Sequence, residues 1–505
     1  MTRIFHHREH RGTQRGKGTG NREQKMRRES FFNLSSYLFC ENGRNLRIAS
    51  LSLFSLYLSV FSVVKSGAEQ ARSADALVES IGVCTHWGYG DTPYGFAYEK
   101  VKQKLAESGI RHIRDGYNPH LQELAKLGIR TTYATDPDHT PEQIRDQIKA
   151  ANATIFSIDA VEGTNEPDLF WAGMKKTYKG MGWEQGQSGI IKGAIAFQRD
   201  LYAAIKSDPA TKNITVIGPS LGKFYGYDTK SPYGQKGELA NAVDWGNFHP
   251  YPGGNAFNAP YPYAGLEKYY WQANFPSINI DEHPMALDIF AGAFAPKPMC
   301  ATETGYSTNT AGGGLSEAAH GKYMPRLFCE YFRRGIKRAY SYEFVDEFDN
   351  PDKTNREAYF GLLRRDVTPK PAYTAVKNLI TILQEKGVKP TFAPSSLDFK
   401  LDVKPSGDFN KTEFVHHLLL QKSDGDFYLV LWHEITAEDT SVSPHKQLTV
   451  PELPATLTFT TPVRRVAYFV PNDSDQPLTL FKNQTIMNLK IPDRVVILQI
   501  TPSTR

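Results

Sequence analysis

Cysteine is scarce in this chain: four among 505 residues, Cys40, Cys84, Cys300 and Cys329, with no CxxC pair. That excludes a disulfide framework and a zinc-thiolate site. Cys84 and Cys300 sit in apolar runs, where a thiol serves as a small hydrophobe. No GxGxxG or GxxxxGK(S/T) follows the first apolar strand, which removes the glycine-rich nucleotide loops. There is no HExxH, and the segment Cys84-Thr85-His86-Trp87-Gly88-Tyr89 lacks the His-x-His of metal-dependent barrels. Neither a cofactor nor a catalytic metal is therefore expected. A hydrolase of peptides or esters is set aside on the expectation of no GxSxG elbow and no Ser/His/Asp order. The net charge of +5 belongs to the front of the chain: residues 1–50 hold 11 Lys and Arg against 4 Glu, and the remainder holds 48 basic against 50 acidic residues. Without a basic folded part, no nucleic-acid partner is expected.

Long hydrophobic runs are also missing, with one exception. Ile48 to Val64 reads IASLSLFSLYLSVFSVV, preceded by Arg44 and Arg47 and followed by the small residues Ala71 to Ala76. This pattern reads as a secretory signal with an unusually long basic front. Either translation starts further in, for example at Met26, or the run stays as an N-terminal membrane anchor, its 17 residues being short for a span. The expectation is a leader over 1–76 and a secreted, periplasmic or cell-surface protein.

From about Ser80 short β-branched runs alternate with helical patterns. Eight strand candidates follow in order: 81–86, 111–116, 129–135, 158–166, 214–220, 243–251, 298–306 and 338–347. Apolar residues at helical spacing, such as Ile190, Ala194, Phe197, Leu201 and Ile205, fall between them. Eight βα units in about 300 residues predict a (β/α)8 TIM barrel over 77–388. Beyond it helical spacing stops. Short runs separated by Gly, Pro, Asn and Asp, with an Asp424-Gly425 hairpin signal, predict an antiparallel β-sandwich over 389–505.

A barrel places its chemistry at the carboxyl ends of the strands. Strand four ends in Gly163-Thr164-Asn165-Glu166-Pro167-Asp168 and strand seven in Thr302-Glu303-Thr304-Gly305-Tyr306. Two carboxyls facing across the mouth suit glycosidic bond cleavage, one protonating the departing oxygen while the other attacks or stabilises the sugar cation. Each glutamate taken singly also fits a loop residue paired with an arginine.

The Asn-Glu-Pro of strand four, the Glu of strand seven and the β-rich tail resemble the retaining glycoside hydrolases of clan A, over residues 80–388 and more loosely the tail. The resemblance implies Glu166 as general acid/base and Glu303 as nucleophile. It implies Arg114 beside the nucleophile, with a salt bridge to Asp115 as the alternative; Asn165 on the sugar 2-hydroxyl; and His249 orienting the nucleophile or holding its own loop. Where many members carry Trp at the end of strand eight, this chain has Tyr342-Glu343-Phe344; Glu343 either binds a sugar hydroxyl or pairs with a barrel arginine.

Aromatic residues concentrate where a sugar would lie. Trp245 to Phe275 hold 10 Phe, Trp or Tyr, Tyr251 among them, and the loop after strand four adds Trp171. Rings cover the C–H faces of sugars, although long loops also need aromatic plugs. Trp87, Trp171, Tyr251, Tyr306 and Tyr342 join Arg114, Asn165, His249 and Glu343 as expected substrate contacts. The expected partner is a poly- or oligosaccharide, hydrolysed with retention; a non-catalytic carbohydrate-binding or adhesion protein on the same scaffold is the alternative. Oligomeric state is not readable.

Overall fold

The computed structural model describes residues 63–222, 233–251, 291–387, 391–406, 412–439 and 442–503. The expected leader up to residue 62, Cys40, and most of the aromatic stretch after Tyr251 lie outside the described residues.

Eight parallel strands form the barrel: β1 Ile81–Cys84, β2 His112–Asp115, β3 Arg130–Thr135, β4 Ile158–Thr164, β5 Thr215–Ile217, β6 Gly246–Phe248, β7 Met299–Thr304 and β8 Ala339–Ser341. Hydrogen-bonded neighbours run in chain order, with β8 pairing β1. The seam between β5 and β6 is closed by a parallel bridge from Ile217 to Trp245. All eight strands fall inside the expected segments.

Helices wrap the outside for readable reasons. Pro141–Ala151 opens with Pro141 at its first position and a reciprocal Thr140–Gln143 capping box, and Ile144 and Ile148, one turn apart, are fully buried. Burying such a side chain contributes about 1.5–3 kcal/mol. Inside the barrel, alternation sets the lining: Cys84, Ala160, Ile217, Cys300 and Tyr340 form an apolar floor. Two residues further along β4 and β7, Glu162 and Thr302 make the next layer polar.

The tail forms a second, mostly antiparallel sheet: β9 Ser396–Val403, β10 Val415–Gln421, β11 Phe427–His433, β12 Leu453–Phe469, β13 Thr479–Ile491 and β14 Val496–Pro502. Its side chains alternate between two cores. Phe427, Leu429 and Leu431 of β11 fill the sandwich, while Tyr428, Val430 and Trp432 join the core shared with the barrel helices.

The folded part begins earlier than the expected Leu77. Val63–Gln70 is a strand antiparallel to β9, Arg72–Ser73 pairs with β10, and Ala71 is buried in the sandwich core. Among the described residues no helix is long and apolar enough to cross a membrane.

Candidate active site

β4 and β7 both lose regular register just where they deliver a glutamate. On β4, Glu162 opposes Ala134 and Thr164 opposes Thr135, so Gly163 is the extra residue; β7 slips against β8 between Ala301 and Thr304. Such irregularities re-aim the side chains beside them. Gly305 follows at φ 145°, and a Cβ there would come 2.7 Å from the Tyr342 carbonyl oxygen. Glu166 itself sits at φ 40°, with its amide donating to Ser220 Oγ at 3.2 Å.

The two carboxyl groups meet at the barrel mouth. Side-chain exposure is 12% for Glu166 and 10% for Glu303. One oxygen of each, with a nitrogen of His249, lies within 4.8 Å of the others. Glu303 accepts from Arg114 Nη1 at 2.8 Å and from the Tyr251 hydroxyl at 2.6 Å. Glu166 lies 2.7 Å from His249 Nδ1, which is 3.6 Å from Glu303.

His249 joins Glu166 to Thr302. Its Nε2 is 2.9 Å from Thr302 Oγ1, whose single hydrogen faces two pure acceptors, Glu162 Oε1 at 2.8 Å and Asn247 Oδ1 at 2.9 Å. The hydroxyl is therefore left to accept from Nε2, and a second proton on Nδ1 would make the ring a cation facing Glu166. Burial opposes this cation, but Glu303, Glu162 and Glu166 outweigh it and push the imidazole up to about 10.

The glutamates are driven apart. Burial, and behind it the charge of Glu303, raises Glu166 above the usual carboxylate range despite His249. Burial acts the same way on Glu303, but His249, Arg114 and the Tyr251 hydroxyl overcome it and hold that group below the range. One carboxyl is thus poised to keep a proton and its neighbour to stay ionised.

Several expected contacts gather here. Arg114 also donates through Nη2 to Asn165 Oδ1 at 2.7 Å, and it does not pair with Asp115, which accepts from Thr85 Oγ1 and the Trp87 amide. Half-buried Tyr342 sets its ring edge-on to Tyr251, 6.4 Å between centroids. His249 lies closer to Glu166 than to Glu303, the group it was expected to orient; Glu303 is held instead by Tyr251 and Arg114. Glu343 does not bind a barrel arginine: it is fully buried, 3.3 Å from His86 Nδ1, and His86 also contacts Glu347. Burial, then Glu347, raises Glu343 well above its ordinary value.

Three expected sugar contacts belong to the core instead. Trp87 is packed edge-on against Tyr94 and Tyr98, filling the space under the loop after β1. Trp171 is fully buried, donates from Nε1 to Asp136 Oδ1 at 3.1 Å, and lies so close to Gly193 that a Cβ there would come 2.9 Å from its ring. Tyr306, turned away at Gly305, packs edge-on against Tyr323. Aromatic residues beside strand ends are needed as plugs as much as platforms.

The residues that sequence reasoning missed are Glu162, Asn247 and Thr302 inside the barrel and His86, Glu347 and Phe360 around the mouth. Their signal is periodic: Glu162 and Thr302 stand two residues beyond Ala160 and Cys300, on the same inward face. Against the expectation of no GxSxG elbow, Gly218-Pro219-Ser220-Leu221-Gly222 spells that motif, yet buried Ser220 Oγ accepts from the Glu166 amide rather than bonding a base. Clusters able to hold a cation are His86/Glu343/Glu347, Glu166/His249/Glu303 and Glu330/His416/Glu434. In the second, His249 Nε2 is engaged with Thr302 and Nδ1 with Glu166.

No protein-family model matches the sequence, and no curated protein matches it. Solved structures do. The chain is similar to a family 39 glycoside hydrolase from the gut symbiont Bacteroides cellulosilyticus WH2, at TM-score 0.53 and 15% identity over 85% of this chain and 82% of that one. It also aligns with a GH39 β-xylosidase from Caulobacter crescentus, at TM-score 0.46 and 13% identity over 86% and 98% of the two chains. A GH51 arabinofuranosidase from Xanthomonas axonopodis pv. citri aligns at TM-score 0.47 and 13% identity over 87% and 100%. With eight parallel strands closing on one another and an antiparallel sheet packed on the helices behind, the chain has a barrel-and-sandwich fold similar to that of the family 39 glycoside hydrolase.

Proposed function

We propose that the chain is a retaining glycoside hydrolase acting on a poly- or oligosaccharide. The observation that carries the reading is the approach of the Glu166 and Glu303 carboxyl oxygens to within 4.8 Å, with the two groups shifted in opposite directions. Retaining enzymes hold their carboxyls about 5–5.5 Å apart, and inverting ones about 6.5–9.5 Å to admit a water.

Ionised Glu303 attacks the anomeric carbon while Glu166 gives its proton to the departing oxygen, leaving a glycosyl ester on Glu303. Esterification removes the Glu303 charge that helps to raise Glu166, so Glu166 ionises more readily and takes a proton from the incoming water. That water attacks the same carbon and frees Glu303. Because Arg114 occupies Asn165 Oδ1, the Asn165 amide nitrogen is left to donate to the sugar 2-hydroxyl. Half-buried Tyr342 and His86 border the site, with fully buried Glu343 behind His86. The basic front and the apolar run before Val63 support action outside the cell.

The test is a panel of polysaccharides and aryl glycosides, with the first-formed anomer followed by NMR. Retained configuration, and loss of turnover in Glu303→Gln with sugar binding kept, is the expected result. Initial inversion, or equal absence of turnover in wild type and Glu303→Gln across the panel, overturns it; the second outcome favours the binding-protein alternative.

A further inference from the structure

Glu162 sits in the middle of β4, four residues before Glu166, with no exposure to solvent. A carboxylate there is costly unless its charge is fully compensated. Its compensation is unusually complete. Arg114 grips it through Nε and through Nη2 at 3.1 Å, Asn247 Nδ2 donates at 3.0 Å, Thr302 Oγ1 at 2.8 Å, and His249 Nε2 lies 3.8 Å away. Despite its burial the group is held down at about 2, because Arg114 and His249 outweigh the desolvation.

Those same groups hold the reacting carboxyls. Arg114 reaches on to Glu303 and Asn165, and Thr302 receives the His249 N–H whose opposite nitrogen serves Glu166. Glu162 thus stands one step behind both glutamates and touches neither. We infer that Glu162 is a positioning residue that divides the Arg114 charge between itself and the nucleophile and keeps His249 doubly protonated beneath the acid/base. The inference rests on the glycosidase reading for its kinetic consequence, but not for its electrostatic one.

The directions follow from charge. With Glu162 neutralised, the guanidinium charge falls on Glu303 alone, so Glu303 ionises at still lower pH and attacks less readily; Glu162 is among the charges that raise it. His249 loses one of the carboxylates that hold its second proton. A merely structural Glu162 would move stability and leave both titrations where they are.

The experiment uses Glu162→Gln, Glu162→Asp and Thr302→Val in the full chain, with kcat and KM across pH and with His249 followed by 15N NMR. In Glu162→Gln, kcat is expected to fall roughly 10²-fold, as for small misplacements of catalytic groups, with KM little changed. The acid limb of the pH profile moves to lower pH, and His249 titrates below its wild-type midpoint. Glu162→Asp restores part of each. A folded Glu162→Gln with wild-type kcat, acid limb and His249 titration overturns the inference, as does a loss of kcat with both titrations unmoved. If Glu162→Gln does not fold, Thr302→Val decides: it removes the hydroxyl between Glu162 and His249 while keeping volume, and an unshifted His249 titration would overturn the link. Failure of the glycosidase reading looks different, since wild type is then inert while the His249 titration still separates Glu162→Gln from it.

Discussion

Glu166 holds φ 40° and ψ 53° at the N-cap of the helix Pro167–Met174, a left-handed conformation that costs a non-glycine residue about 1–2 kcal/mol. A side-chain oxygen at that position can accept from the free amides of the first helical turn, yet this side chain makes no cap bond and turns instead to His249. The strain and the lost cap both serve to aim one carboxyl across the mouth, as strained residues at functional sites often do. The pH dependence follows from the two shifts. On the proposed mechanism, activity needs Glu303 ionised, so it should rise with pH through a midpoint below the usual carboxylate range; it needs Glu166 protonated, so it should fall through a midpoint above that range. In Glu166→Ala, kcat on sugars with poor leaving groups should drop about 10²–10⁴-fold, the usual worth of a positioned proton donor. Aryl glycosides whose leaving group needs no proton should suffer less in the first step, and the alkaline limb should vanish for both. Measured kcat/KM profiles that keep their alkaline limb in Glu166→Ala would assign the acid to another residue. The meeting of these two glutamates at the mouth was legible from Asn-Glu-Pro and the strand count. Glu162 was not, because nothing but its inward parity separates it from a surface glutamate, and Trp87, Trp171 and Tyr306 were misread because composition does not distinguish a ring that plugs from one that stacks.

The helix Glu317–Arg333 shows how one element joins the barrel to the sandwich. Pro325 lies inside it and has no N–H to offer, so the Gly321 carbonyl four residues earlier loses its helical donor. Asn472 of the sandwich supplies one, with Nδ2 2.8 Å from the Gly321 oxygen. One turn on, buried Arg326 donates to the carbonyls of His433, Ile435 and Asp493 at 2.9–3.0 Å. These polar ties cross the interface beside the apolar core that the two parts share. Asn472→Ala should cost about 1–3 kcal/mol, the penalty of leaving such a carbonyl unpaired. In a Pro325→Ala background, where the helix regains its own donor, the cost should shrink. A denaturation double-mutant cycle measures the coupling, and independent, additive effects would refute it. Element boundaries were mostly readable, since apolar runs bounded by Gly, Pro and Asn mark strands well. β9 escaped notice although Leu397, Phe399, Leu401 and Val403 alternate strictly, because Asp398, Lys400 and Asp402 dilute the run.

At the scale of the molecule, the order of the chain and the order of the sheets disagree at one place. Val63–Gln70 precedes the barrel in sequence yet covers the free edge of β9 in the tail sheet, and Arg72–Ser73 then pairs with β10 at its other end. The sequence reading missed this because an edge strand held through its backbone needs no apolar pattern, and VKSGAEQ has none. The link is more than backbone. Arg72 stacks on Phe332 with its guanidinium carbon 3.4 Å from the ring centroid and donates to the Phe332 carbonyl at 2.8 Å, while Glu69 meets His417 at 2.7 Å. A fragment starting at residue 77 therefore exposes the β9 edge and removes a clasp between the two cores, whereas one starting at residue 63 keeps both. The shorter fragment should melt at lower temperature and associate through the bare edge, read by calorimetry and light scattering on the two fragments side by side. The same argument bears on export: a cut within Ala71 to Ala76 would discard the strand, so an exported protein should retain Val63, which N-terminal sequencing of secreted material checks. Equal melting temperatures and equal monodispersity of the two fragments would mean that the strand decorates the sheet without supporting it, and would leave a cut at Ala71 to Ala76 structurally harmless.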